Sequence, residues 1–528
     1  MPTRVLPARP NLDNLKKQAK SLLDAAQALD ATALQRFTAL PSLVDRPAAA
    51  IDAAALALHD AQSVIAREYG FDSWNALREE IEARTLSLDA AVDEFVRCAT
   101  DEAAGRADRL LALHPGITIA TLQTAIVLGD AAAVDARLTR DPALATQAGG
   151  VQKWEPLLYV CHTAMHRGEP ARLEALVAIA RRLLDLGANP NAEYHWNWHP
   201  ELPRTALWGA VCVIGHLPLA ELLLDAGANP TDGVTAHIAA GSANIAALEL
   251  LRRYGLDPDR SPRGVPPLVY SMTWARPPEG EYWLLDHGAD PNLAWGEDDE
   301  APLHVAARRW NAAMAEQLIA HGADLGRRRK DGATPHTVAA LYGNGEVAAC
   351  LLKHGAISEL SPLEQFLAAC ARADRSAADA MLAADPSLPR QLTPIHHQML
   401  HRPAESGDAA ALDTMLDCGF DVNARDKDQV TPLHRAAMGG HPDAVRVLLA
   451  HAADVHAVDG MFSAPPLVWA VEGRSHSSGN HDDGFVAAAR LLIEAGTPLT
   501  WTPPPAAPDV ERTLDGLAAL LRDAGVTG

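Results

Sequence analysis

The chain has 528 residues, of which 48% are hydrophobic but only 5% aromatic, and its formal net charge is -22. That charge argues against sequence-independent nucleic-acid binding, which needs clustered Lys and Arg on phosphates, and against an anionic membrane surface. So few rings argue against several large globular cores, because small side chains suit thin helices packed close together.

In chain order, the first 85 residues hold 10 Lys/Arg against 11 Asp/Glu, so the acid belongs to the rest of the chain. The pattern predicts helices over 12–29, 31–40, 53–69 and 73–83. The N-terminal MPTRVLPARPNLDNLKK has no apolar signal core. The longest apolar run, about ten residues from Ala206 to Gly215, is too short to span a bilayer. Cys98, Cys161, Cys212, Cys350, Cys370 and Cys418 are nowhere closer than 20 residues, which excludes CxxC chemistry and metal knuckles. Free buried thiols fit a reducing compartment, and a soluble cytoplasmic protein is expected.

Beyond this segment a motif recurs: an apolar helix, then Gly-Ala-Asp/Asn, often with Pro. The glycine falls at 187 (LLDLGANPNA), 227, 255, 288, 322, 355, 419 and 496, with Ala452 at the equivalent place in LLAHAADVHA. The steps are 40, 28, 33, 34, 33, 64, 33 and 44, the 64 covering two units. A fixed period near 33 residues is the mark of a stacked repeat. Each unit reads as a short small-residue helix (TPLHRAAMGGHPD), a turn, and a second helix with an apolar stripe (AVRVLLAHAAD). The closing Gly takes a left-handed conformation that a Cβ would penalise. One helix pair is too small to bury its own apolar face, so neighbours must share a core.

This pattern resembles the ankyrin repeat family. The match is best over 428–459 (DQVTPLHRAAMGGHPDAVRVLLAHAADVHAVD) and good over 301–327 and 331–358. The resemblance implies an all-α fold, an ankyrin-like helical repeat solenoid with short β-hairpin fingers, a helical N-terminal module and a C-terminal capping helix. The expected division is a module over 1–85, which is a divergent repeat pair or cap; a degenerate repeat or connecting helices over 86–116; about eleven repeats over 117–501, several degenerate; and a cap over 502–528. The segment 1–85 looks like a leader module found ahead of ankyrin arrays in bacterial proteins. Within the box, the resemblance gives Thr431, His434 and His304 structural roles in loop and inter-repeat hydrogen bonds. Trp208 replaces the box His in RTALWGAV, and Val269 does so in PPLVYSM.

No GxSxG, HExxH, P-loop or EF-hand loop is present. GNGEVA at 343–348 imitates a dinucleotide fingerprint but lies at an inter-helix turn. His162 and His166 are one helical turn apart, with a partly exposed first helix as the alternative reading, and His195 and His199 flank YHWNWHP; these four are weak metal candidates. The loop HSSGNHDDG at 476–484 reads as an insertion.

Eleven Trp against seven Phe and seven Tyr is an inverted ratio. Trp154, Trp196, Trp198 and Trp295 fall in extended segments between units, on the fingers that the resemblance implies. Exposed Trp is enriched at binding hot spots; the alternative is that each ring packs onto the next finger. Aligning the first helices on the box gives a second set, placed by the resemblance on a concave groove: Tyr270, Trp274, Arg308, Tyr342, Arg435, Met438 and Trp469. GEDDE at 296–300 precedes RRRK at 327–330, an offset that pairs Glu297 with Arg329, Asp298 with Lys330 and Trp295 with Arg327. These observations predict a non-enzymatic protein-binding scaffold without cofactor or assigned metal. The acidic array favours an unidentified protein or peptide with a basic face, with neither nucleic acid nor membrane as partner. The rival reading is a small-molecule or metal site, even an unrecognised enzyme, centred on the finger at 194–199.

Overall fold

A computed structural model describes residues 4–7, 10–40, 43, 46–53, 56–100, 104–165, 168–196, 199–260, 264–274, 277–476, 482–501 and 510–524. It divides into two units, 1–267 and 268–527. Both are built from short helices packed in pairs.

The first unit opens with helices Leu12–Gln27, Ala31–Phe37, Leu58–Glu68 and Trp74–Thr85. The first stops two residues before the expected Leu29, which itself turns left-handed at φ 63°. The third starts at Leu58 instead of Ala53, where Asp60 accepts from the Ala57 N–H at 2.9 Å and fixes the helix start. Leu15, Leu22, Phe37, Ile65 and Leu77 form this segment's own core. Arg36 clamps Glu68 with two bonds, at 2.6 and 3.0 Å. Helices Leu88–Thr100 and Ala104–Leu113 follow, and Arg109 on the second donates to the buried Glu80 at 2.6 Å. From Leu122 the paired pattern continues to the unit's end, interrupted by one antiparallel hairpin, β1 (Glu193–Trp196) and β2 (His199–Thr205). Its register pairs Glu193 with Thr205 and Tyr194 with Arg204, then slips before Trp196 meets His199.

The second unit repeats one design. A first helix such as Pro302–Arg309, Pro335–Leu341 or Pro432–Met438 starts with Pro at its first turn, where the missing N–H costs nothing. A second helix such as Ala312–Ala320 or Gly345–Lys353 starts on an Asn cap. Leu412, Met415, Leu433, Val445, Leu448, Leu467 and Leu492 run through a shared core that passes from repeat to repeat. The chain therefore needs no bulky central ring cluster, which accounts for its low aromatic content. The last helix, Val510–Asp523, adds Leu517 and Leu520 to that core.

The repeat-closing residues share one conformation. Gly187, Gly227, Gly255, Gly288, Gly322, Gly355, Gly419 and Gly496 all have φ between 90° and 95°, and Ala452 is held at 63°. An alanine there bears a Cβ penalty that its glycine counterparts avoid. Ala452→Gly is therefore expected to stabilise the second unit by about 1 kcal/mol, offset in part by the greater freedom of unfolded glycine. Urea unfolding measures it, and an unchanged or lowered midpoint would contradict the assignment of strain to this residue.

Candidate functional site

The box residues work within the scaffold. In the repeat at 428–459, the Thr431 N–H donates to Nδ1 of His434 at 3.2 Å. With Nδ1 accepting, the proton sits on Nε2, which donates to the Ala464 carbonyl of the next finger at 3.1 Å. His304 does the same, with Ala301 N–H at 3.3 Å and Ala333 O at 3.2 Å. His237 reaches Val265 O at 2.8 Å. Burial pushes His434 down to about 4, so this hydrogen bond is made by a neutral ring. A second ladder uses the Asn of the closing motif. Asn292 donates to Gly322 O at 3.0 Å and accepts from Asp324 N–H at 2.7 Å. Asn191 joins Gly227 O and Asn229 N–H in the same way, at 3.0 and 2.8 Å. The imitation fingerprint at 343–348 is a turn: Asn344 caps its helix and donates to Ala307 O and Trp310 O.

Where Trp208 stands in place of the box His, the link is rebuilt. Thr205 Oγ1 accepts from the Trp208 N–H at 2.9 Å and donates to Asp232 at 2.6 Å. The ring of Trp208 lies under the Arg204 guanidinium at 3.8 Å and beside His162 at 5.7 Å.

The finger tryptophans do not form one exposed row. Trp154 is half-buried: it stacks on Tyr194 at 4.1 Å and lies 5.4 Å from Tyr159 and 5.6 Å from His162. This corrects its expected place on an open surface. The base of the long hairpin sits over the preceding repeat, and Trp154 fills the space beneath Tyr194. Trp196 ends β1, but its side chain, like that of His199, lies outside the described residues, as does the whole of Trp198. Trp295 is 37% exposed and meets Tyr270 edge-on at 5.9 Å.

The histidine candidates separate too. His162 is fully buried inside the aromatic cluster, Nδ1 shares a hydrogen bond with Leu158 O at 2.9 Å, and burial pushes it down to about 4. This corrects its reading as part of a pair on a partly exposed helix. His166 lies outside the described residues. His195 is exposed beside Glu193, 3.9 Å away.

The groove candidates lie on or just after the first helices. Tyr270, Arg308, Tyr342, Arg435 and Trp469 are half-buried, and Met438 is 39% exposed; the side chain of Trp274 is outside the described residues. Trp469 donates its indole N–H to Asp459 at 2.8 Å, lies edge-on to His434 and carries Arg435 above its ring at 5.6 Å. Arg435 also pairs with Asp426 at 3.1 Å. The finger charges complement one another in a shifted register. The Lys330 N–H donates to the Asp298 carbonyl at 3.0 Å. Arg329 pairs with Glu300 at 2.8 Å instead of Glu297, because Glu300 turns inward to bridge Arg329 and Arg308. Arg327 pairs with Asp299 at 3.3 Å instead of facing Trp295.

One residue of this surface escapes the sequence alignment. TPIH at 393–396 looks like the box, and Thr393 does cap its helix with His396. The inter-repeat bond, however, comes from His401, whose Nε2 reaches Val430 O at 2.9 Å. The aligned pair is thus HRPAESGD at 401–408 with HRAAMGGH at 434–441. That places Arg402 in the column of Arg435, Tyr270 and Trp469.

Among the described residues, no helix is long and apolar enough to cross a membrane. Comparison with known proteins agrees with the repeat geometry. A family model described as "Ankyrin repeats (3 copies)" matches residues 278–361 and 366–497. Ankyrin repeat domain-containing protein 49 of Bos taurus is 70% identical over 37 residues, 7% of this chain and 16% of that protein. SH3 and multiple ankyrin repeat domains protein 2 of Homo sapiens is 31% identical over 196 residues, 35% of this chain and 10% of that protein. The match thus takes in only a small part of either relative. The human ASB11 ankyrin repeat domain superposes with a TM-score of 0.35 at 23% identity, covering 45% of this chain and 99% of that one. The two matched stretches, 278–361 and 366–497, are thus ankyrin repeats.

Proposed function

We propose that this chain is a non-enzymatic protein-binding scaffold. The observation that carries this reading is the column following the box His. In that column Tyr270, Arg402, Arg435 and Trp469 are half-buried along the first helices of one unit, while Val305 and Val338 are buried. Aromatic and Arg side chains are the residue types that dominate binding energy at interfaces. The exposed Met438 and Trp295 extend that surface towards the fingers. The box histidines support it from a different side: His237, His304 and His434 each hold a carbonyl of the next finger, a scaffold role. An overall charge of -22 favours a partner that presents basic residues to the array.

Trp295 and Met438 test the surface with little risk to the fold, since both are exposed. A partner identified by cross-linking mass spectrometry is expected to bind Trp295→Ala/Met438→Ala at least tenfold more weakly, a loss of about 1.4 kcal/mol. Affinity unchanged in that variant would remove these side chains from the interface.

A further inference from the structure

Arg402 is an arginine without a carboxylate. Among the described residues its guanidinium donates no hydrogen bond and forms no ion pair, although the surrounding arginines are paired: Arg308 with Glu300 at 2.8 Å, Arg309 with Glu405 at 3.8 Å. It lies over the ring of Tyr342, 5.8 Å from its centre. It is half-buried and lines a cavity of about 120 Å³ with Tyr342, Ala371, Met399, Ser406 and Asp408. The Asp408 carboxylate caps the next helix, accepting from the Ala411 N–H at 3.0 Å, and forms no ion pair with Arg402.

The position results from four repeats meeting. Arg309 comes from helix Pro302–Arg309, Tyr342 from the end of Pro335–Leu341, Ala371 from Pro362–Ala371, and Arg402 and Glu405 from His401–Ser406. The charges of Arg309 and Arg308 act on Arg402 unfavourably, and that of Glu405 opposes them. Burial, reinforced by Arg309 and Arg308, pushes the Arg402 guanidinium below its ordinary range. A planar guanidinium presents fixed paired donors that match an oxyanion. A half-buried cation with no partner is costly, and a bound anion would relieve that cost.

We propose that Arg402, supported by Arg308 and Arg309, forms an anion seat on the first-helix face of the second unit, which takes a carboxylate or phosphate oxyanion. This seat lies within an array of opposite net charge, so it selects for an anionic group at one place on a ligand whose remaining contacts are basic or neutral. It goes beyond the scaffold reading and does not depend on it, because it is tested with small probes.

Titration calorimetry on the full chain at low salt provides the test, with inorganic phosphate in one arm and a neutrally capped tetraglutamate peptide in the other. Saturable binding is expected in at least one arm, and the arm that binds identifies the source of the oxyanion. Arg402→Gln is expected to weaken that binding at least tenfold, and Arg402→Lys to recover part of it. Lys353→Gln, an exposed site paired with Glu316, is expected to leave it unchanged. Should the Arg402 variants fail to fold, Arg309→Gln is expected to weaken binding several-fold by itself. No saturable heat from either probe, equal affinity in Arg402→Gln, or, where that variant does not fold, equal affinity in Arg309→Gln would overturn the proposal.

Discussion

Gly473→Ala is expected to destabilise the C-terminal repeats by about 3 kcal/mol, the upper part of the range for overpacking a filled core. Gly473 lies in helix Pro466–His476, against the end of helix Pro432–Met438. A Cβ built there would enter the van der Waals shell of the Met438 carbonyl oxygen, and it would stand 2.8 Å from the Phe485 ring. The first of these is backbone at a helix end, which has no rotamer to change. Gly484 meets the Gly440 carbonyl in the same way, at 2.6 Å, so the two repeats touch through their main chains. Gly345→Ala is the matched control. That glycine begins helix Gly345–Lys353 at negative φ, and its nearest neighbour is the flexible Arg372 side chain at 3.7 Å. It should gain roughly 0.5 kcal/mol or more through lower unfolded-state entropy. Urea unfolding followed by a probe in the last repeats reads both. A Gly473→Ala loss below the control's change would show that the helices separate freely.

Glu281→Gln is expected to stabilise the second unit by up to about 3 kcal/mol at pH 8 and to change little at pH 4. Glu281 is 0% exposed on helix Glu279–Asp286. Ser271 beside it gives its hydroxyl to the Leu268 carbonyl. Burial pushes the carboxyl up to about 7 from an ordinary 4.5. The folded state therefore holds this proton more tightly than the unfolded state. Below about pH 4.5 both states carry it and there is no penalty; as pH rises from there to about 7, the unfolded chain gains by ionising and stability falls. Above pH 7 the penalty is constant. Glutamine keeps the shape without the charge, so the difference between variant and wild type should open over that window and then level off. Equal pH profiles would place the carboxyl in contact with water or a cation.

The period and the closing glycines were plain in the sequence because a left-handed helix stop admits few residues, and even its one alanine keeps that conformation. The box was readable where Thr, Pro and His follow in order, as at 431–434. It misled at 393–396, because a Thr–His capping box is a local device that any helix start can use. The scaffold bond depends on a His placed to reach the next finger, and His401 has that place with Leu400 before it and no Thr at the box spacing. Arg402 was lost with that register. Trp154 could not be decided from the sequence for a different reason. Two readings were open for the finger rings, outward or packed onto the next finger, and the hairpin at 193–205 decides for the second by bringing Tyr194 down over the ring. Such a tertiary contact has no local pattern in the sequence. The opposite charges of adjacent fingers were legible as blocks, whereas their exact pairs were set by Glu300 turning inward.

The histidine ladder gives the array a direction. At His304 and His434 the imidazole accepts a backbone N–H at Nδ1 and donates from Nε2 to a carbonyl about thirty residues closer to the C-terminus. Removing repeats from the C-terminal side of a cut leaves a buried N–H with no acceptor. Removing them from the N-terminal side leaves a carbonyl, whose unmet need is better tolerated. The two faces of a repeat such as 428–459 are thus unequal in what they demand of their neighbours: its C-terminal face needs an acceptor above it, here the Ala464 carbonyl.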